Sequence, residues 1–113
     1  MDCLFCKIAS GEVPATIIYK DNQIIAFDDI SPQAPFHKII IPQKHIPTLN
    51  DLGDEDNNLV GHMVQSAAML AKQLKMSEEG YRVVFNCNTG GGQTVFHIHL
   101  HLLGGRTMKW PPG

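Results

Sequence analysis

The sequence predicts an α+β fold on a five-stranded antiparallel sheet, with one long and one short helix. Two observations carry it. Short apolar runs follow one another in hairpin order, and helical periodicity is confined to two separate segments. At 113 residues the chain is one domain, residues 1–113, without internal repeat or linker. A chain of that length buries roughly two-thirds of its unfolded surface.

Residues 2–9 read as the short helix: Asp2 is placed to cap it, Leu4, Phe5 and Ile8 share a face, and Ser10-Gly11 ends it. Thr16 to Lys20 and Gln23 to Asp28 are strands joined at Asp21-Asn22, a hairpin signal. Phe36 to Pro42 is a third strand, with His37, Ile39 and Ile41 on one face. Asp54 to Met76 is the long helix, where Leu59, Met63, Ala67, Leu70 and Leu74 recur at helical spacing. Acidic residues crowd its start, and Lys72 and Lys75 lie near its end, as the helix dipole favours. Tyr81 to Asn86 and Val95 to Leu103 are the last strands, and a proline-rich tail follows.

The final strand holds three of the six histidines, His97, His99 and His101, at i, i+2 and i+4, separated by Ile98 and Leu100. That is the strand period, so the three imidazoles share one face and the aliphatic side chains take the other. Neighbouring histidines are then about 6.6 Å apart at Cα, and the outer two about 13 Å. One small reacting centre cannot meet all three equally, which makes His99 the natural contact. Just upstream lies Asn86-Cys87-Asn88-Thr89-Gly90-Gly91-Gly92-Gln93-Thr94. Successive glycines let amide N–H groups converge on an anion, and Asn86 and Thr94 add side-chain donors. Together, loop and row suggest a phosphate cradle facing a nucleophile.

Composition narrows the function. With 43% hydrophobic and 18% charged residues the chain is ordinary globular protein, and a net charge of −2 without a basic cluster argues against a nucleic-acid polymer as ligand. There is no apolar run of membrane-spanning length and no charged-then-apolar leader, so no membrane partner is expected and the cytoplasm is the expected compartment. Three cysteines, an odd number, do not suggest a disulfide framework. Cys3-x-x-Cys6 alone is compatible with redox chemistry, metal binding or two small helix residues, and Cys87 has no evident partner. His62, beside Gln65 and Ser66, reads as part of a solvated helix face with no assigned role.

The run His97-Ile98-His99-Leu100-His101-Leu102-Leu103 resembles the signature of the histidine triad (HIT) superfamily of nucleotide-binding hydrolases and transferases. Asp29-Ile30-Ser31-Pro32-Gln33-Ala34-Pro35, Ile41-Pro42-Gln43-Lys44-His45-Ile46, and Leu103-Gly104-Gly105-Arg106 through Trp110-Pro111-Pro112-Gly113 resemble its Hint branch, the nucleoside phosphoramidases. The resemblance covers nearly the whole chain. It implies a HIT-like fold whose sheets join across a homodimer. The edge strands and the helix side bearing Met63, Ala67, Leu70 and Leu74 are the surfaces expected to serve that contact.

For function, the resemblance implies hydrolysis of the P–N bond of purine nucleoside 5′-phosphoramidates, AMP- or GMP-type, through a nucleotidyl-histidine. His99 is the expected nucleophile, reactive when neutral, and His101 contacts phosphate and aids proton transfer to the leaving amine. His37 supports the triad, by the expected route of orienting His99. Asn86, Gly92 and Thr94 join His99 and His101 at the phosphate. Asp29 matches the ribose-binding acid, and Leu4, Phe5, Ile8, Phe27 and Ile30 match the base slot. Trp110, on a tail stiffened by Pro111 and Pro112, is expected near the partner's site.

Catalysis requires no cofactor in this reading. Related branches hold a structural zinc with CxxC and two histidines, and Cys3, Cys6, His45 and His97 match that set. His97 is a catalytic member of the triad in this reading unless it is a ligand, in which case the chemistry is left to His99 and His101. Two other functions fit part of the pattern: a nucleotidyl transferase or dinucleoside polyphosphate hydrolase, and a non-catalytic nucleotide-sensing module. Relatives of the former type usually follow the third histidine with Pro-Arg, which is absent here.

Overall fold

The computed structural model describes residues 2–113. In chain order it contains α1 (Leu4–Ser10), β1 (Ile17–Lys20), β2 (Ile24–Asp28), β3 (Phe36–Pro42), α2 (Asn57–Gln73), β4 (Tyr81–Phe85) and β5 (Leu100–Gly104). Short 3₁₀ turns at Leu49–Asp51, Asp54–Asp56 and Thr89–Gly91 complete it. The expected antiparallel five-stranded sheet is present, in the order β1-β2-β3-β5-β4.

Both faces of the central strands are covered, so β2 and β3 are buried along nearly their whole length rather than alternately. On one face Ile24, Ala26, Ile40, Leu100 and Leu102 pack against Met63, Ala67, Leu70 and Ala71 of α2. On the other, Ile25, Phe27, Ile39 and Ile41 pack against Cys3 and Phe5 at the start of α1. His101 lies opposite Ile39 in the β3–β5 ladder and therefore shares the α1 face.

Several boundaries differ from expectation, each for a local reason. Helix α1 is capped by Cys3, whose Sγ accepts the Cys6 N–H at 3.4 Å, while Asp2 is fully outside and pairs with Lys7. Helix α2 starts at Asn57, three residues late, because Asp56 accepts the Gly53 N–H at 2.9 Å and pairs with Lys44 at 2.7 Å. The β1–β2 turn takes in Gln23 as well, since Asp21 Oδ1 accepts the N–H groups of both Gln23 and Ile24. Strand β5 begins at Leu100 rather than Val95. Residues 95–97 bend, and the Ile98 N–H bonds to the Ile46 carbonyl at 2.8 Å instead of joining the ladder.

Two further expectations are corrected. Met63, Ala67 and Leu70 are consumed by the chain's own core, at 0%, 0% and 3% exposure, so they offer nothing to a partner. His62 is not a free surface group: its Nε2 lies 2.7 Å from Asp21 Oδ2, tying α2 to the β1–β2 turn. Burial alone would raise the Asp21 carboxyl, but hydrogen bonds from His62, Gln23, Ile24 and Tyr19 outweigh it and hold the group well below the usual carboxylate range. Among the described residues, no helix is long and apolar enough to cross a membrane.

Candidate active site

A cavity of about 360 Å³ opens between α1 and the α1-side face of the sheet. Leu4, Phe5, Ile8, Phe27 and Ile30 line it, and Asp28, Asp29, Thr94, His99 and His101 supply its polar groups. Nearly all the residues expected at one site are therefore together. Asn86 and Gly92 are not among the lining residues but lie against each other: the Asn86 amide would be 3.8 Å from a Cβ at Gly92, whose φ of +91° suits glycine. Trp110 is 83% exposed on the tail and does not line this cavity.

Tautomers can be assigned within the triad from fixed backbone partners. His99 Nδ1 lies 2.8 Å from the His97 carbonyl, an acceptor, so Nδ1 carries the proton and Nε2 keeps its lone pair. A lone pair on a 93%-buried ring lining an open cavity is what a nucleophile requires. Contrary to the expectation from sequence, His37 makes no hydrogen bond to His99. Its Nε2 lies 2.9 Å from His101 Nδ1 and 3.3 Å from Asp29 Oδ2. Phe5 braces His99 from the helix side, edge-on at 5.0 Å between ring centres, and His101 lies 4.9 Å from His99 on the other.

Burial keeps the group neutral. It pushes His37, His97 and His99 below the ordinary histidine range, and it pushes His101, also repelled by His99 and His37, down to about 4. The sign for stability follows. Between about 4 and the ordinary 6.5 the folded chain binds fewer protons at His101 than the unfolded chain does. That stability is complete above 6.5 and declines as pH falls through the window. The thermal midpoint is expected to drop from pH 7 to pH 4, and less steeply in His101→Asn; equal slopes in the two proteins would contradict it.

His97 leaves the row. Its Nε2 donates to the Pro42 carbonyl at 2.8 Å, which turns the Nδ1 lone pair toward Cys3 Sγ at 3.5 Å, Cys6 Sγ at 3.6 Å and His45 Nδ1 at 3.2 Å. Cys6 Sγ is 3.3 Å from His45 Nδ1. A tetrahedral zinc with ordinary bond lengths requires S···N separations of about 3.6 Å and N···N of about 3.3 Å. The four donors fit that set, and the Pro42 carbonyl, by accepting the Nε2 proton, holds His97 in the tautomer a ligand needs. Asp29, His37 and His101 also converge. There, however, the Gln33 N–H donates to His37 Nδ1 at 3.0 Å, leaving Nε2 protonated and unable to ligate.

Some site residues escaped sequence reading. Val13, Pro14 and Ala15 line the cavity from a connector without periodicity, and Ile39 and Val95 complete it. Gln93 is 4% exposed and pins the glycine loop. Its Nε2 donates to Pro47 O at 2.7 Å and Val95 O at 3.0 Å, and its Oε1 accepts the Asn88 N–H at 2.7 Å. A glutamine between a glycine run and a strand was the only signal.

Comparison with known proteins agrees with this architecture. Residues 2–110 match the family model described as scavenger mRNA decapping enzyme C-terminal binding. The purine nucleoside phosphoramidase of Escherichia coli K12 is 49% identical over 107 residues, covering 95% of this chain and 90% of its own. The crystal structure of a HIT family hydrolase from Legionella pneumophila superposes with a TM-score of 0.98 at 60% identity, covering 99% of this chain and 100% of that one. A histidine triad protein from Clostridium difficile gives 0.93 at 41% identity, with 96% and 95% covered.

Proposed function

The chain belongs to the histidine triad family of hydrolases, and from that premise we propose that it cleaves the P–N bond of purine nucleoside 5′-phosphoramidates. The observation that carries this is His99, buried and neutral, with Nδ1–H committed to the His97 carbonyl and Nε2 free to face an open cavity. Nε2 attacks the α-phosphorus, the P–N bond breaks, and a nucleotidyl-His99 forms. The amine leaves with a proton delivered from the Nε2 edge of His101. Water then attacks phosphorus, the P–Nε2 bond to His99 breaks, and the proton that water releases returns to Nε2 of His101, so both histidines are regenerated.

Binding follows from the lining. Asp29 uses Oδ1 to accept the Ser31 N–H at 2.8 Å, and Oδ2, 3.3 Å from His37 Nε2, keeps a lone pair for ribose hydroxyls. Leu4, Phe5, Ile8, Phe27 and Ile30 supply an apolar slot suited to a purine, and Thr94, with Asn86 and Gly92 of the same loop, is assigned to the phosphate. The donor set at Cys3, Cys6, His45 and His97 is proposed to hold a structural zinc that supplies no chemistry at phosphorus and clamps α1. The test is turnover of adenosine and guanosine phosphoramidates against dinucleoside polyphosphates. Preference for the latter would move the assignment to the polyphosphate hydrolases, and binding without turnover would leave a sensing module.

A homodimer accompanies this reading, built on the sheet edge, one of the two surfaces expected, and not on the buried helix side. Strand β4 ends the sheet with its outer edge unpaired, and Tyr81 and Val83 are 36% and 40% exposed there. On α2 the exposed apolar group is Val64, at 44%. Joining two β4 edges would protect both and carry Trp110 toward the second copy. Sedimentation at micromolar concentration is expected to give twice the chain mass, and Val83→Lys to shift it toward one chain. A wild-type mass of one chain would remove the dimer.

A further inference from the structure

The proton order within the His37–His101 pair is set from outside the cavity. Gln33 N–H donates to His37 Nδ1 at 3.0 Å. A neutral imidazole carries one N–H, so the His37 proton sits on Nε2, 2.9 Å from His101 Nδ1. His101 accepts there, and its own proton is placed on Nε2. Losing the first bond leaves only the Asp29 carboxylate, 3.3 Å from His37 Nε2, to hold that order, and lets a share of the pair reverse, leaving His101 with a lone pair where the proposed reaction needs a donor.

The residue that makes this bond is held through its carbonyl, in the next peptide unit, by Arg106. Arg106 Nε donates to Gln33 O at 3.1 Å, and the Gln33 side chain donates to Ser31 O at 3.0 Å. Gly105 lies against the same loop, with φ +90° and room for no Cβ, which would fall 2.8 Å from Pro35 Cβ. Neither Gln33 nor Arg106 lines the cavity, and Arg106 is exposed. A loop gripped this closely keeps one amide aimed at one ring nitrogen.

We infer that the Gln33 amide is a positioning group that orders the protons of His37 and His101, and that Arg106 is the positioning residue bracing it. The catalytic consequence rests on the reading of His101 as the proton-delivering group; the tautomer order does not. The experiment pairs ¹⁵N NMR of histidine-labelled protein with kinetics on adenosine 5′-phosphoramidate and AMP affinity, for wild type, Arg106→Ala, Arg106→Lys and Gln33→Pro.

The effect of one hydrogen bond sets the scale: kcat is expected to fall about tenfold in Gln33→Pro and about three- to fivefold in Arg106→Ala, with KM and AMP affinity unchanged. Arg106→Lys, which can still reach the carbonyl, should recover most of it. The ¹⁵N signals of His37 and His101 should move from single tautomers toward mixtures, a change that a merely structural contact would not produce. Unaltered tautomer signals in Arg106→Ala overturn the inference even if Gln33→Pro does not fold. A wild type without phosphoramidase activity would remove the reaction reading, and the NMR arm would still decide the proton order.

Discussion

Replacing His99 with alanine is expected to lower phosphoramidate turnover by roughly four orders of magnitude or more, the scale at which loss of a covalent nucleophile registers. Nucleotide affinity should survive, because the apolar slot and Asp29 are contributed by α1, β2 and the loop after β2. Phe5 loses one edge-on neighbour at 5.0 Å but keeps Phe27 at 5.6 Å, so the slot wall stays in place. His101→Ala should be milder, since amine departure is slowed while the nucleophile remains. Steady-state kinetics with parallel AMP titration separates the two. Comparable losses in both variants would deny His99 its special place.

The second large effect is expected at the cysteine–histidine cluster. Cys3→Ser should lose about one zinc per chain and lower the thermal midpoint by roughly 10–20 °C, equivalent to about 2–4 kcal/mol for a domain this size. Cys3 is buried, caps α1 and faces His97, so the site links the helix to the segment before β5. Its loss also reaches the chemistry. The His97 carbonyl holds His99 Nδ1, and Phe5 rides on the helix that Cys3 and Cys6 anchor. At low temperature, where the fold persists, much of the nucleophilic activity should remain, with weakened nucleotide affinity. Metal analysis of protein purified without chelators checks this, and zinc-free protein with unaltered melting in Cys3→Ser would contradict it.

How much was readable in the sequence follows from which interactions are local. Helix α2 was readable because Leu59, Met63, Ala67 and Leu70 meet one sheet face at helical spacing. Its first turn was not, because Asp56 is drawn into a bond with Gly53 and a pair with Lys44, twelve residues away. The histidine row was readable as an alternation, and Ile98, Leu100 and Leu102 do fill the core on the other side. Its division of labour depends on contacts of 52 to 94 residues' separation with His45, Cys6 and Cys3, where period alone is silent. Family resemblance supplied that pairing. It supplied neither the His37–His101 bond nor the His62–Asp21 tie, which no motif spacing encodes.

The most direct test of the account is to stop the reaction in its first milliseconds with adenosine phosphoramidate labelled at phosphorus, and to map the label after proteolysis under alkaline conditions, where phosphohistidine survives. The account predicts one acid-labile nucleotide per active chain in the wild type, on the peptide spanning residues 83–106 and localised to His99, and none in His99→Ala. Label on His101 or His37, or an adduct that persists in His99→Ala, would contradict it.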